Sequence, residues 1–128
     1  MNRLIIAICS VVLLQSTVAQ AELPSASDAV IRQSLSSGRP TIIDLGAHTC
    51  IPCKKMAPIL ESLSVEYRGK ASVLFIDVHD DQAAARKFRV QMIPTQIYFN
   101  AHGKEVKRHI GFMDKEGILK ELKNAGLK

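Results

Sequence analysis

The chain has 128 residues, of which 47% are apolar and 23% charged, with seven Gly, five Pro and no Trp. That composition excludes a disordered, collagen-like or low-complexity protein, and the length allows one domain with a real core but not two. Seventeen Lys plus Arg against twelve acids give a net charge of +5.

Asn2-Arg3 is a short positive start, and Leu4 to Leu14 carry no charge. Ala19-Gln20-Ala21 then offers small residues at the two positions a signal peptidase reads. This is the three-part layout of a secretory signal peptide, predicted over residues 1–21. An uncleaved anchor is the competing reading, but the apolar run falls short of the roughly 20 residues that span a bilayer. A lipoprotein signal fits poorly, because Ile8 precedes Cys9 where a small residue is wanted. Cleavage after Ala21 leaves residues 22–128 as a single domain and removes Cys9 and Arg3, so the charge falls from +5 to +4. Cys50 and Cys53 remain. In an oxidising compartment such a pair is a disulfide, a redox site or a metal site.

In the mature chain, Ser27 or Asp28 caps a first helix running to about Ser36. Thr41 to Leu45 is a β-branched run that predicts a strand buried on both faces. After Cys53, the apolar residues Met56, Ile59, Leu60, Leu63 and Tyr67 recur at helical spacing. Pro58 lies inside that helix and predicts a kink rather than a break. Arg68-Gly69-Lys70 is a turn, Ser72 to Val78 a second buried strand, and Asp80 or Asp81 caps a short helix to Phe88. Pro94 opens a strand from Thr95 to Asn100. A turn ending at Gly103 and a strand from Glu105 to Ile110 complete a hairpin. Asp114 caps a final helix whose Ile118, Leu119 and Leu122 face the core, with Gly126 after its end. The order is α-β-α-β-α-β-β-α. Helices between the early strands predict parallel pairing, and the hairpin adds an antiparallel pair.

Cys50-Ile51-Pro52-Cys53 falls between a buried strand and a helix start. Open backbone N–H groups and the helix dipole favour a thiolate there. Cys50 is expected at the exposed edge, as the nucleophile that forms a mixed disulfide. Cys53, one turn inside, is expected to attack Cys50 and release the reduced substrate. Asp44 interrupts an apolar strand six residues earlier. If desolvated it has a raised pKa and can accept the Cys53 proton, directly or through water. An Asp at a strand end, solvated or hydrogen-bonded to backbone, is the plainer reading. His48, Cys50 and Cys53 could be read as metal ligands, but a closed zinc site normally needs four. His48 is placed at the site's rim, where it could favour the Cys50 thiolate, or on an ordinary surface loop. Asp77, His79, Asp80 and Asp81 read as helix capping and solvated loop rather than a cation site. The basic C-terminal third lacks interleaved aromatics, so it reads as a solvated face and not a nucleic-acid surface.

Asp44, the Cys50-to-Cys53 motif with Lys54 after it, Pro58, Ile93-Pro94-Thr95, Gly103 and Gly111 together resemble the thioredoxin family over residues 41–127. The resemblance implies a thioredoxin-like α/β fold, a central four-stranded mixed sheet flanked by helices. It implies that Pro94 is cis and abuts the disulfide, and that Ile51, Pro52, Met92, Ile93, Pro94 and Gly111 meet an extended substrate. The family's usual Trp and Gly around the first cysteine are Thr49 and Ile51 here. A Lys that often accompanies the buried carboxylate is placed at Val73, and a Gly before Ile-Pro is Met92. Ile51 and Met92 make the substrate surface bulkier and more apolar. The exported oxidase branch usually has His in the third motif position. Pro52 stands there, which leans towards a reducing poise.

The expected function is thiol–disulfide exchange on protein disulfides or dithiols in an exported compartment, a periplasm, with the protein acting as reductant. It needs no cofactor and no metal. A reductant in an oxidising compartment must be recharged, so a membrane-embedded dithiol donor is the implied partner, and the protein is expected to be a monomer. The alternative is a non-catalytic binding module with a permanent Cys50–Cys53 disulfide, although so small a ring would be a poor staple.

Overall fold

The computed structural model describes residues 22–128; the segment read as a signal peptide, with Cys9, lies outside them. Eight elements follow the expected order: α1 (Asp28–Leu35), β1 (Thr41–Gly46), α2 (Ile51–Glu66), β2 (Ser72–Asp77), α3 (Gln82–Lys87), β3 (Thr95–Phe99), β4 (Glu105–Ile110) and α4 (Lys115–Asn124). Three helix starts are fixed by side chains that accept from the first turn: Ser27 from Val30 N–H, Asp81 from Ala84 N–H and Asp114 from Gly117 N–H. α2 continues across Pro58 without interruption. The hairpin turn needs Gly103, whose φ is +72° and whose added Cβ would lie 2.6 Å from the Leu35 carbonyl oxygen.

The strand order is β2-β1-β3-β4. β1 and β2 are parallel, and β3 and β4 antiparallel, as expected. The pairing of β1 with β3 is antiparallel, although a helix precedes β3. The reason is where the chain re-enters the sheet. β3 starts beside the end of β1, with Thr95 opposite Leu45, so it runs back the other way.

Alternation along the strands sorts their side chains onto two cores. Ile42, Val73 and Tyr98 pack with Met56, Leu60, Leu63, Ile118 and Leu122, under α2 and α4. Ile43, Leu45, Ile76, Ile97 and Phe99 pack with Ile31 and Ala84, on the side of α1 and α3. Leu119 is only half-buried at the edge of the first core. Asp44 and Gln96 share the parity of Ile42 and Tyr98, so both face α2 rather than α1. Among the described residues no helix is long and apolar enough to cross a membrane.

Candidate active site

The site forms where β1 ends and α2 begins. Cys50 is the N-cap of α2, with an extended backbone at φ −82° and ψ 126°. Its Sγ accepts from the Cys53 N–H at 3.4 Å. The first turn of α2 has no acidic residue and leads into Lys54 and Lys55. Backbone N–H groups and the positive end of a 16-residue helix therefore meet at one sulfur, and each favours its thiolate. Cys50 and Cys53 are joined as a disulfide with their Cα atoms 5.1 Å apart. Cys50 is partly exposed and Cys53 is buried, as their order along the helix start predicts.

Asp44 is 1% exposed. It lines one small cavity with Cys53, Lys54, His48, Glu22 and Phe75. Its Oδ1 accepts from Gln96 Nε2 at 2.9 Å, while its Oδ2 is buried with no partner. Burial pushes the carboxyl up from an ordinary 3.8 to about 6, against the opposing pull of the Gln96 hydrogen bond. The solvated reading of Asp44 is thus incorrect. The residue opposite it on β2 is Phe75, not Val73; Val73 pairs with Ile42 and belongs to the core. The position read from the sequence is two residues off along β2, a shift that keeps the same face, so the apolar group beside Asp44 is the ring of Phe75 and not Val73.

Ile51 and Pro52 occupy the first turn of α2, and Ile51 is 71% exposed. The Ile93–Pro94 bond is cis, as the resemblance implied. Pro94 is buried, Ile93 half-buried and Met92 exposed. The Thr95 hydroxyl donates to the Met92 carbonyl at 2.6 Å and fixes this loop. Gly111, at φ +100°, donates its N–H to the Pro94 carbonyl at 2.8 Å, which brings the end of β4 beside the cis proline.

His48 sits at the rim, but its ring nitrogens face carboxylates. Nδ1 lies 2.8 Å from Glu22 and Nε2 lies 3.7 Å from Asp77, with the ring against Phe75. Asp77 is not part of a solvated loop. It is 4% exposed and accepts from the backbone N–H groups of His48 and His79. Burial pushes its carboxyl up, but those N–H groups, that of Asp80 and the His48 charge outweigh it, and the carboxyl lies below its ordinary range. Asp77 thereby ties the loop before Cys50 to the end of β2. Among the described residues no cluster of three or more His, Cys, Asp and Glu is placed to hold a metal.

Two contributors were not singled out from sequence, Gln96 and Phe75, and Asp77 was read there only as capping or solvated loop. Gln96 carried a usable signal, being an amide in an otherwise β-branched and aromatic strand.

A family profile described as Thioredoxin matches residues 23–124. The thioredoxin of Staphylococcus aureus is 38% identical over 96 residues, covering 75% of this chain and 90% of that protein. A bifunctional thioredoxin reductase/thioredoxin of Mycobacterium leprae is 41% identical over 88 residues, and the match spans 69% of this chain but only 19% of that longer protein. Chloroplastic thioredoxin z superposes with a TM-score of 0.69 at 24% identity, over 82% of this chain and 95% of its own. A mutant thioredoxin from Halobacterium salinarum NRC-1 gives 0.71 at 25% identity, over 83% and 91%. Sequence, fold and the cysteine pair at the helix start agree: the chain belongs to the thioredoxin family and is a thiol–disulfide oxidoreductase.

Proposed function

We propose that this oxidoreductase works after export, as a monomeric reductant of protein disulfides in a periplasm, recharged by a membrane-embedded dithiol donor. Cys50 thiolate attacks a substrate disulfide. A Cys50–substrate bond forms, the substrate bond breaks, and the leaving thiolate takes a proton from water. Cys53 then gives its proton to Asp44, directly or through a water in the shared cavity, and attacks Cys50 Sγ. The Cys50–Cys53 bond forms and the second substrate thiolate leaves, taking up the proton. Two electrons and one proton pass from the protein to the substrate, and water supplies the second proton. Cis-Pro94, with Met92, Ile93 and Gly111 around it, and Ile51 and Pro52 on the helix side, line the place an extended substrate would occupy.

The observation that carries this reading is the grading of the site. One sulfur is presented at a helix tip, and its partner is buried beside a carboxyl whose pKa lies near neutrality. Export is supported by the charge and hydropathy layout of residues 1–21, and the reducing direction by Pro52 in the motif.

The experiment is insulin-disulfide reduction with Cys50→Ser and Cys53→Ser. Cys50→Ser is expected to abolish it, and Cys53→Ser to accumulate mixed disulfides with client proteins after acid quenching. Wild-type turnover by Cys50→Ser would end the reading. A couple near about −270 mV fits a reductant, one near about −120 mV an oxidant, and one far below about −300 mV an inert bridge. N-terminal sequencing of protein from fractionated cells tests the compartment; an intact Met1 in the cytoplasm would refute export. Light scattering at a dimer's mass would refute the monomer.

A further inference from the structure

Gln96 is completely buried in β3 and is the cross-strand partner of Asp44. Its Nε2 donates to Asp44 Oδ1 at 2.9 Å and to Met56 Sδ at 3.1 Å. Its Oε1 is buried with no partner, as is Asp44 Oδ2. An amide with an unpaired oxygen is an unfavourable filler for a core that Leu or Ile would complete. Core packing therefore does not account for it.

The chemistry of the pair does. An ionised carboxylate only accepts hydrogen bonds, so it needs a donor; a protonated carboxyl must also donate, so it needs an acceptor. A cation beside Asp44 would serve the first state alone. A primary amide carries a donor at one end and an acceptor at the other, and half a turn about its last side-chain bond exchanges them. We propose that Gln96 is the positioning residue for proton transfer at Asp44, holding the carboxylate through its NH2 and, turned over, accepting through Oε1 from the protonated acid. The proposal rests on the reading of Asp44 as proton acceptor for Cys53. Asp44 takes the thiol proton and later yields it to the leaving substrate thiolate, and the amide can partner the carboxyl in both states. The direction of the Asp44 shift agrees, because burial raises it and Gln96 is the group that opposes the rise.

The other ionisable groups facing Asp44 are Glu22 of the N-terminal lead, His48 of the β1–α2 loop and Cys53 and Lys54 of α2, with Tyr98 on β3 coupled through its charge. None of these is hydrogen-bonded to Asp44 among the described residues. β2 contributes the apolar Phe75.

The test is NMR of the Gln96 side-chain amide in the reduced protein, from about pH 4 to about pH 9, beside the Asp44 carboxyl carbon. The Gln96 NH2 signals are expected to titrate with the midpoint of Asp44 and to become flat near that midpoint in Asp44→Asn. A flat Gln96 amide beside a titrating Asp44 overturns the proposal and leaves Asp44 its role. The second measurement is the pH profile of the resolving step, read as the second chromophore release from an aromatic disulfide. In Gln96→Leu its acid limb is expected to move up by about one pH unit, a roughly tenfold loss of rate below the midpoint. An unmoved limb in folded Gln96→Leu overturns the proposal. Should that variant not fold, the NMR of the unaltered protein decides. An Asp44→Asn variant with the wild-type pH profile removes the proton-acceptor reading itself, and the proposal with it.

Discussion

Asp44→Asn should stabilise the oxidised protein, and by an amount that grows with pH. The folded state holds the Asp44 proton up to about pH 6, whereas the ordinary value is 3.8. The folded state thus binds this proton more tightly than the unfolded chain does. Below the ordinary value both states are protonated, and Asp44 carries no electrostatic cost. Between the two values the unfolded state gains by ionising, and stability falls as pH rises. Above about pH 6 the full cost is present. A shift of about two units corresponds to about 3 kcal/mol at 1.36 kcal/mol per unit. Asparagine is nearly isosteric and can still accept from Gln96 Nε2, so it removes the charge without emptying the site. The difference between Asp44→Asn and wild type, measured by guanidinium denaturation, should be near zero at about pH 4 and approach about 3 kcal/mol by about pH 8. In a domain of this size that is on the order of 10 °C in Tm. Taking the difference between two proteins that share every other titrating group cancels their contributions. A gap that stays constant over this range would refute the assignment of a desolvated Asp44.

Three further outcomes follow from the same geometry. After reduction, iodoacetamide at neutral pH should modify Cys50 rapidly and leave Cys53 protected, because Cys50 is partly exposed at the helix tip and Cys53 is buried; mass spectrometry that finds Cys53 modified first contradicts this. Asp77→Ala should cost about 2–4 kcal/mol, since it orphans the His48 and His79 N–H groups. Its carboxyl lies below the ordinary range, so the stability it contributes is present at neutral pH and fades on acidification, and the denaturation gap to wild type should narrow there. Gly103→Ala should cost at least about 2 kcal/mol, because φ is positive and the new Cβ would meet the Leu35 carbonyl oxygen; a thermal midpoint equal to wild type would contradict the turn geometry.

The elements were legible because their signals are local. Ser27, Asp81 and Asp114 bond within one turn, and the β-branched runs report burial whatever their neighbours are. The cysteine pair was legible for the same reason, since the helix start that activates it is adjacent in sequence. Cross-strand facts were not. Placing the absent cation at Val73 failed because register is a property of two strands, and the β1–β2 ladder sets Phe75 opposite Asp44. Gln96 escaped notice because its meaning lies in Asp44, 52 residues away. Asp77 was read as loop because its distant partner, the His48 N–H 29 residues away, becomes visible only once β1 and β2 lie side by side.

Asp44 and Asp77 show why burial alone does not mark a functional carboxylate. Both are almost fully enclosed, at 1% and 4% exposure, and they lie near the same ends of neighbouring strands. Asp77 receives backbone donors that outweigh its desolvation, so its charge is held and it fastens the loop. Asp44 receives one side-chain amide, which does not outweigh its desolvation, and it remains ready to take a proton near neutral pH. The difference is in the count and kind of donors, not in depth. A core that satisfied Asp44 as fully as Asp77 would be more stable and would lower the carboxyl's affinity for the Cys53 proton. The stability lost at Asp44 and the base strength gained there are one free energy measured from two reference states. A substitution that adds a donor to Asp44 should therefore raise stability at neutral pH and slow the resolving step together.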